Sequence, residues 1–554
     1  MIKKKLLQFT LLTFALLILS SAASAQRVFH VNINTGNDAN DGLKWSTAFK
    51  NLQPAIDEAG RYDIIYVAKG TYHPTKLIVD VQGGNVDPLK PATDVNQSFL
   101  LKRDLKIYGG FPSYSTDATT MNDRNWESNQ TILSGDFNND DGPNFENTSE
   151  NALHVVVMLD ATPEMVLDGF YIEGGVASKE KAAVTAHING LIVLQTYGGG
   201  IYSIADFGTS PTLSNLVIRN NYADKDGGGI FNYSEGGNSS PALTNVTIIN
   251  NVAKDKGGGY YSFGKSAFPK FKNVIMSGNE ALEGGGFACL TEEGDGSPEF
   301  ENVLVTGNIA NKSAGIYIWS MATNACPKFI NTTICGNKVT TDMAAGGVYI
   351  LSTGQSKPLI KNTVIWGNKS FRRETDNIAL GSTRGESDPT IENSLLEGID
   401  WGGSNLDGNT NPRFVNHIDA DNAPTRSQKG DYRLSSESPL INRGDNTAVT
   451  LSEDLAGQIR IFSQTVDIGA YESKYNTSAN ESAFASNNSI WSYQDNIFIK
   501  INENVEFIRV YSINGNLVKQ VNSPSEGIHT LNVPGGFYVV MLSTGETAKL
   551  LITK

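Results

Sequence analysis

A chain of 554 residues is longer than one globular core ordinarily supports, so several domains or one repetitive domain growing along an axis is expected. Its 55 glycines, with Asn and Ser crowding the middle, suit tight turns at regular intervals and exclude an architecture of long helices. The formal charge of −14 excludes the basic face a nucleic-acid partner requires, and three cysteines, Cys289, Cys326 and Cys335, exclude a disulfide framework and match no zinc spacing.

Residues 1–25 read as an export signal: Lys3, Lys4 and Lys5, an apolar run over residues 6–19, then Ala23, Ser24 and Ala25 at a small-residue cleavage site. The mature chain is expected to begin at Gln26. The apolar run is too short for a membrane span, and no later stretch approaches the roughly 20 apolar residues a span needs. Residues 51–59 read as a short amphipathic helix, with Leu52, Ala55, Ile56 and Ala59 on one side and Pro54 in the first turn. It is expected to cap a sheet stack whose open edge would otherwise invite aggregation. Residues 63–68, 99–109 and 154–169 follow as irregular early coils.

Insertions interrupt these coils at residues 80–96, 113–150 and 177–194. In the second, Asp136, Asn138 and Asp140 place oxygen ligands at first, third and fifth positions, as a calcium loop does. Gly142 comes one place late for an EF-hand and no Glu stands at the twelfth position, so a polar loop is the competing reading. Calcium is the one cofactor the sequence suggests.

From residue 198 a repeat takes over. Pro211, Pro241, Pro269, Pro298, Pro327, Pro358 and Pro389 recur at spacings of 30, 28, 29, 29, 31 and 31. Four residues after each stands Asn215, Asn245, Asn273, Asn302, Asn331, Asn362 or Asn393. Six residues further on come Asn221, Asn251, Asn279, Asn308, Asn337 and Asn368, whereas the seventh copy has Ile399. Glycine clusters end at Gly200, Gly229, Gly259, Gly286, Gly315 and Gly347, each followed by two mostly large apolar residues. Units this short bury an apolar face only by stacking. Three residues after the first asparagine, Ile218, Ile248, Met276, Val305, Ile334 and Ile365 are all apolar. Their neighbours Arg219, Ile249, Ser277, Thr306, Cys335 and Trp366 are mixed, so one face is expected to be core and the other solvent. Stacked asparagines tolerate left-handed backbone and can bond to the copy in the next coil. A β-propeller, the competing architecture, needs blades of about 40–50 residues.

The strand after each glycine cluster carries an aromatic column: Tyr202, Phe231, Tyr261, Tyr317 and Tyr349. Pointing outward, it is a ladder on which sugar rings stack; pointing inward, it is core. The partner positions Ile201, Ile230, Tyr260, Phe287, Ile316 and Val348 are equally apolar, so the sequence leaves both orientations open. The turns before the glycines carry Asp224, Lys225, Asp226, Lys254, Asp255, Lys256 and Glu283, which are either a catalytic cluster or a solvated row of ion pairs. The nucleophile-elbow and zinc-protease motifs are absent, and only 10 to 12 residues separate each glycine cluster from the next proline, too few for cleft-walling loops.

Two stretches flank the repeats. The first holds Asp41, Gly42, Trp45, Ala48, Phe49, Leu52 and Gln53, then Tyr66 through Thr71. The second holds Asn411, Pro412, Arg413, Phe414 and Val415, then Asp431, Tyr432, Arg433 and Leu434, then Ser438 through Gly444, then Val466 through Glu472. Together they resemble bacterial β-helix proteins of the pectin-lyase-like superfold known as choice-of-anchor proteins. The glycine and asparagine units also look like repeats of chlamydial polymorphic outer-membrane proteins. On the superfold, lyases bind calcium with carboxylates and use Lys or Arg as base, and hydrolases use clustered Asp; the paired-Asp and Gly-His-Gly signatures of those hydrolases are absent.

Residues 473–489, rich in Ser, Asn and Ala, read as a linker. Alternating strands at residues 497–501, 505–512 and 536–542 then surround the turn Asn514-Gly515. With Val510, Tyr511, Gly535 to Val539 and the final residues 549–554, this segment resembles the type A sorting domain of the type IX secretion system. A carbohydrate-binding immunoglobulin-like module is the alternative.

The expected organisation is all-β: signal peptide 1–25, right-handed parallel β-helix with N-terminal cap 26–472, linker 473–489 and a small immunoglobulin-like β-sandwich sorting domain 490–554. The expected function is a secreted or cell-surface protein presenting a glycan- or surface-binding face, with the outer-membrane secretion machinery as partner and no transmembrane span. The alternative is a polysaccharide lyase or glycoside hydrolase whose site lies in the loops of residues 80–194.

Overall fold

The computed structural model describes residues 26–78, 94–101, 104–180, 186–343, 345–370, 377–385, 387–422, 426–474, 489–493, 496–501, 505–543 and 547–552. The export signal, most of the first insertion and residues 475–488 of the expected linker lie outside them. The chain divides into two compact units, residues 1–477 and 478–554.

The first unit is a parallel β-solenoid, for which the general preference of parallel crossovers is right-handed coiling. Among the described residues nine strands pair in parallel, six of them glycine-led, from Phe99–Leu101 and Val156–Leu159 through Ile201–Ala205 to Val348–Ser352 and Ile378–Ser382. A second, bent sheet contains the eight-residue strands Thr212–Arg219, Ala242–Ile249, Lys270–Ser277 and Glu299–Thr306. A short sheet of Tyr222–Ala223, Val252–Ala253, Glu280–Glu283 and its neighbours closes each coil.

The bend follows from asparagine. Asn215, Asn245, Asn273 and Asn302 sit at φ of 52, 55, 53 and 52°, left-handed backbone that asparagine adopts at little cost. This one residue breaks the two-residue alternation, so Leu213 and Leu216 both face the interior although three positions apart. The interior columns are Leu213, Leu243, Phe271, Phe300 and Phe329, then Ile218, Ile248, Met276, Val305, Ile334 and Ile365, in unbroken register. Phe271, Phe300 and Phe329 stack ring on ring at 4.9 and 5.0 Å.

Two asparagine ladders run along the stack. On the bend, the amide of Asn245 donates to Asn215, Asn273 to Asn245 and Asn302 to Asn273, each at 3.1 Å. Inside, Asn221, Asn251, Asn279, Asn308 and Asn337 each donate to the next carbonyl oxygen, ending on Asn368, at 2.8–3.1 Å. The same amides donate to backbone carbonyls of a neighbouring coil, such as Asn279 to Ile248 at 2.9 Å. Asn377 takes the seventh rung, accepting from Asn368 at 2.9 Å, so the ladder outlives the sequence period that fails at Ile399.

The first strands and the outer side of the bent sheet carry covers. The helix Leu52–Glu58 buries Leu52, Ala55 and Ile56 against the first strands, as its amphipathic pattern predicts. The expectation that the second face of the bent sheet meets solvent holds only in part. Ser277, Thr306 and Cys335 point away from the interior and are buried beneath an arm that includes Phe414, Tyr432, Leu434, Leu440 and Ile441. Glycine makes the close approach possible: a Cβ on Gly307 would lie 1.9 Å from the Ser427 carbonyl oxygen, and one on Gly336 2.7 Å from the Tyr432 hydroxyl. The arm is fastened by Arg460, buried among Asp454, Asp467 and Glu472. Burial pushes Asp467 up to about 6 and Glu472 up to about 8.

The second unit has a three-stranded and a four-stranded antiparallel sheet sharing one core of Ile497, Ile499, Ile508, Val510, Val540 and Leu542. The expected turn at Asn514-Gly515 joins Phe507–Ser512 to Leu517–Asn522, with Gly515 at φ of 79°. Among the described residues, no helix is long and apolar enough to cross a membrane.

Candidate functional site

The glycine-led sheet resolves the orientation that the sequence leaves open. Ile201, Ile230, Tyr260, Phe287, Ile316 and Val348 fill the interior, so Tyr202, Phe231, Tyr261, Tyr317 and Tyr349 face outward in parallel register, interrupted by Ala288. Outward is not exposed, however. Tyr202, Phe231, Tyr261 and Tyr317 retain 1, 4, 3 and 1% of their surface, and only Tyr349 is half-buried.

Two features cover them. A hairpin of Ala186–Ile188 and Leu191–Val193, from the third insertion, packs Ile188, Leu191 and Val193 into the same cluster, and the Tyr202 hydroxyl donates to the Ile192 carbonyl at 3.3 Å. The charged turns form the other flank. Lys312 Nζ donates to the Tyr317 hydroxyl at 3.0 Å and stands 4.6 Å from its ring centroid.

The surface offered to solvent belongs to a second outward column two residues on: Tyr233, Phe263, Leu290, Trp319 and Leu351, each half-buried. Tyr233 and Phe263 stack at 5.3 Å with 15° between planes, and Phe263 leans on Tyr261 at 6.2 Å. Sequence reading missed this column, although its signal was the aromatic residue two positions after Phe231, Tyr261 and Tyr317.

Along the border of this face Asp226, Lys256, Glu283 and Lys312 stand one above another, alternating in sign. Lys312 pairs with Glu283 at 3.1 Å and Lys256 with Asp255 at 2.9 Å, while Lys254 pairs with Asp224 at 2.7 Å. Asp226 differs: its carboxylate accepts the Lys256 backbone N–H at 2.9 Å. Burial pushes this carboxyl up to about 7, with Asp255 adding to the shift and Lys256 opposing it. A carboxyl in that range can exchange a proton at neutral pH. Asp224 shows the reverse balance: burial works against ionisation, yet Lys254, Ser178 and Tyr222 hold it near 2.

The calcium-loop residues lie elsewhere. Asp136 and Asp140 gather with Glu150, their carboxylate oxygens within 4.8 Å of one another, a set that could hold a metal ion. Glu150, which sequence reading did not include, contributes a buried Oε1 without a hydrogen-bond partner. Asn138 is exposed. The backbone amides of Asp140 and Asp141 donate to Asp136 at 3.3 and 3.2 Å and hold the loop curled.

No family model matches the chain, and no curated protein matches it. Among solved structures it is similar to the pectate lyase Pel9A, at 14% identity and a TM-score of 0.42 over 82% of this chain and 98% of that one. It is similar also to a rhamnogalacturonan lyase, at 12% identity and a TM-score of 0.24 over 76% and 97%, and to XylC in complex with xylose, at 10% and 0.30 over 81% and 99%.

Proposed function

We propose that this chain is a secreted or cell-surface solenoid that presents the outer face of its glycine-led sheet to a glycan. One observation carries the reading: the half-buried column of Tyr233, Phe263 and Trp319, set beside the buried aromatic column and bordered by the paired charges of Glu283 and Lys312. Aromatic rings supply flat apolar surface for the C–H faces of sugars, and the flanking ion pairs supply donors and acceptors for hydroxyls. Calcium would be taken by Asp136, Asp140 and Glu150.

The chain from Gln26 onward, titrated with a panel of acidic and neutral polysaccharides with calcium and again with chelator, should bind at least one. Trp319→Ala and Tyr233→Ala should each weaken that binding about tenfold, or 1.4 kcal/mol. Wild-type affinity in both variants would remove the aromatic face from the account. A second reading, polysaccharide cleavage, is favoured by Asp226 alone, whose raised carboxyl could serve as a general acid. New reducing ends or unsaturated products, lost in Asp226→Asn, would replace binding with catalysis as the function.

The route outward in this proposal is the export signal followed by the immunoglobulin-like sorting domain and a type IX secretion system. Removing residues 490–554 should leave a folded solenoid trapped in the periplasm. Undiminished appearance of the truncated chain outside the cell would refute the route.

A further inference from the structure

We propose that a second groove, on the asparagine corner of the solenoid, binds an uncharged oligosaccharide chain through Phe145, Arg219, Asn220, Asn250, Glu280 and Arg426. It shares with the preceding proposal the class of ligand and Asp136 at its border, while the short sheet of Tyr222–Ala223 and its neighbours separates this corner from the aromatic face.

The groove encloses about 1040 Å³, the size of a ligand cleft. Its floor is set by one backbone position that is left-handed in every regular coil: Asn220, Asn250, Gly278, Gly307, Gly336 and Gly367. Where that position is Gly278 or Gly307, the arm lies directly upon it, and a Cβ would meet Gln428 at 3.0 Å or the Ser427 carbonyl at 1.9 Å. Where it is Asn220 or Asn250, the residue lines the groove. The loop around residues 141–145 walls one side, and Arg426 on the arm closes one end.

The charges select the ligand. Arg219 pairs with Glu173 at 2.5 Å and Arg426 with Glu280 at 2.6 Å. Apart from Asp136, which calcium would take, the groove holds Asp141, Glu173 and Glu280 against Arg219, Lys338 and Arg426, so its charges balance. A polyanion would gain no net attraction and, like a polycation, would have to displace paired groups such as Arg219 and Arg426 from their partners. A hydroxyl-rich neutral chain displaces none of them: guanidinium N–H groups, carboxylate lone pairs and asparagine amides each keep bonding capacity beyond the ion pair.

Phe145 supplies the apolar wall, and its backbone marks it out. It sits at φ of 65°, directly after Asn144 at 56°. A bulky residue held left-handed is strained, and such strain persists where the surroundings dictate it. Here the ring is fixed against Tyr222, 5.5 Å between centroids, with the Arg426 guanidinium 6.0 Å from its centroid.

The test uses the full chain from Gln26 and oligomers of β-linked glucose, xylose and mannose, with polygalacturonate as the acidic comparison, in wild type and in a Tyr233→Ala/Trp319→Ala background. Neutral-oligomer binding that survives in that background and falls at least tenfold on adding Phe145→Gly or Asn250→Asp is the expected result. Phe145→Gly should keep its melting temperature, because glycine relieves the left-handed strain while the ring is lost. Residual binding unchanged by both substitutions, no residual binding in the background variant, or a preference there for polygalacturonate would each overturn the groove. The first two leave the aromatic face standing. Wild-type affinity in the background variant that Phe145→Gly abolishes would support the groove and overturn the aromatic face.

Discussion

Replacing Ile248 by Asp is expected to abolish the cooperative thermal transition of the solenoid. Ile248 is fully buried, stacked between Ile218 and Met276 in the central interior column. An aspartate there has no cation within the stack, and its ionised form cannot keep its water. The cost is more than about 4 kcal/mol, a large share of what holds a domain folded. Because each coil rests on its neighbours, the damage spreads to the adjoining rungs. Ile249→Asp, one residue on and on the outer side, is the internal comparison. Circular dichroism melts of the two variants decide it, and a wild-type melt for Ile248→Asp would mean the interior column is wrongly placed.

The second large effect is expected from Asn279→Ala in the inner ladder. Asn279 Oδ1 accepts the Asn251 backbone N–H at 3.0 Å and the Asn251 amide at 3.1 Å, while its own amide donates to Ile248 and Asn308. Truncation leaves at least two buried polar groups without partners, at about 1–3 kcal/mol each. A loss of about 3–4 kcal/mol in denaturant melts is therefore expected. Asn245→Gly on the bend should behave differently. Asn245 is exposed and glycine accepts φ of 55° without strain, so a change within about 1 kcal/mol is expected. Equal losses in the two variants would show that both ladders carry the same energetic weight.

The stack was legible because its physics is periodic. A residue that must be left-handed, or must bond to its own copy one coil away, returns in every coil. The prolines and asparagines therefore give register and the inward set from Ile218 to Ile365 directly. The capping helix was legible for the same reason at short range, since its apolar side repeats every turn.

The aromatic strand resisted the same logic for a specific reason. The inward position two residues after Ile201, Ile230 and Tyr260 is Ser203, Asn232 or Ser262, polar groups satisfied inside by Thr209 or Ser239. Alternation of hydrophobicity therefore points the wrong way there, and Tyr233, Phe263 and Trp319 pass unnoticed as the accessible face. The change from Asn220 and Asn250 to Gly278, Gly307 and Gly336 was visible in the sequence, but nothing in the repeat says that a glycine there admits an arm.

The sequence alone determined the coil, its register and the inward face of the strands after each asparagine, because those depend on contacts between equivalent residues a fixed distance apart along the chain. The tertiary structure alone decided what is covered: the hairpin over Tyr202, the arm over Thr306 and Cys335, the gathering of Glu150 with Asp136 and Asp140, and the groove beside Asn250. Those contacts join segments tens to more than a hundred residues apart that share no period, so no repetition announces them before the chain has folded.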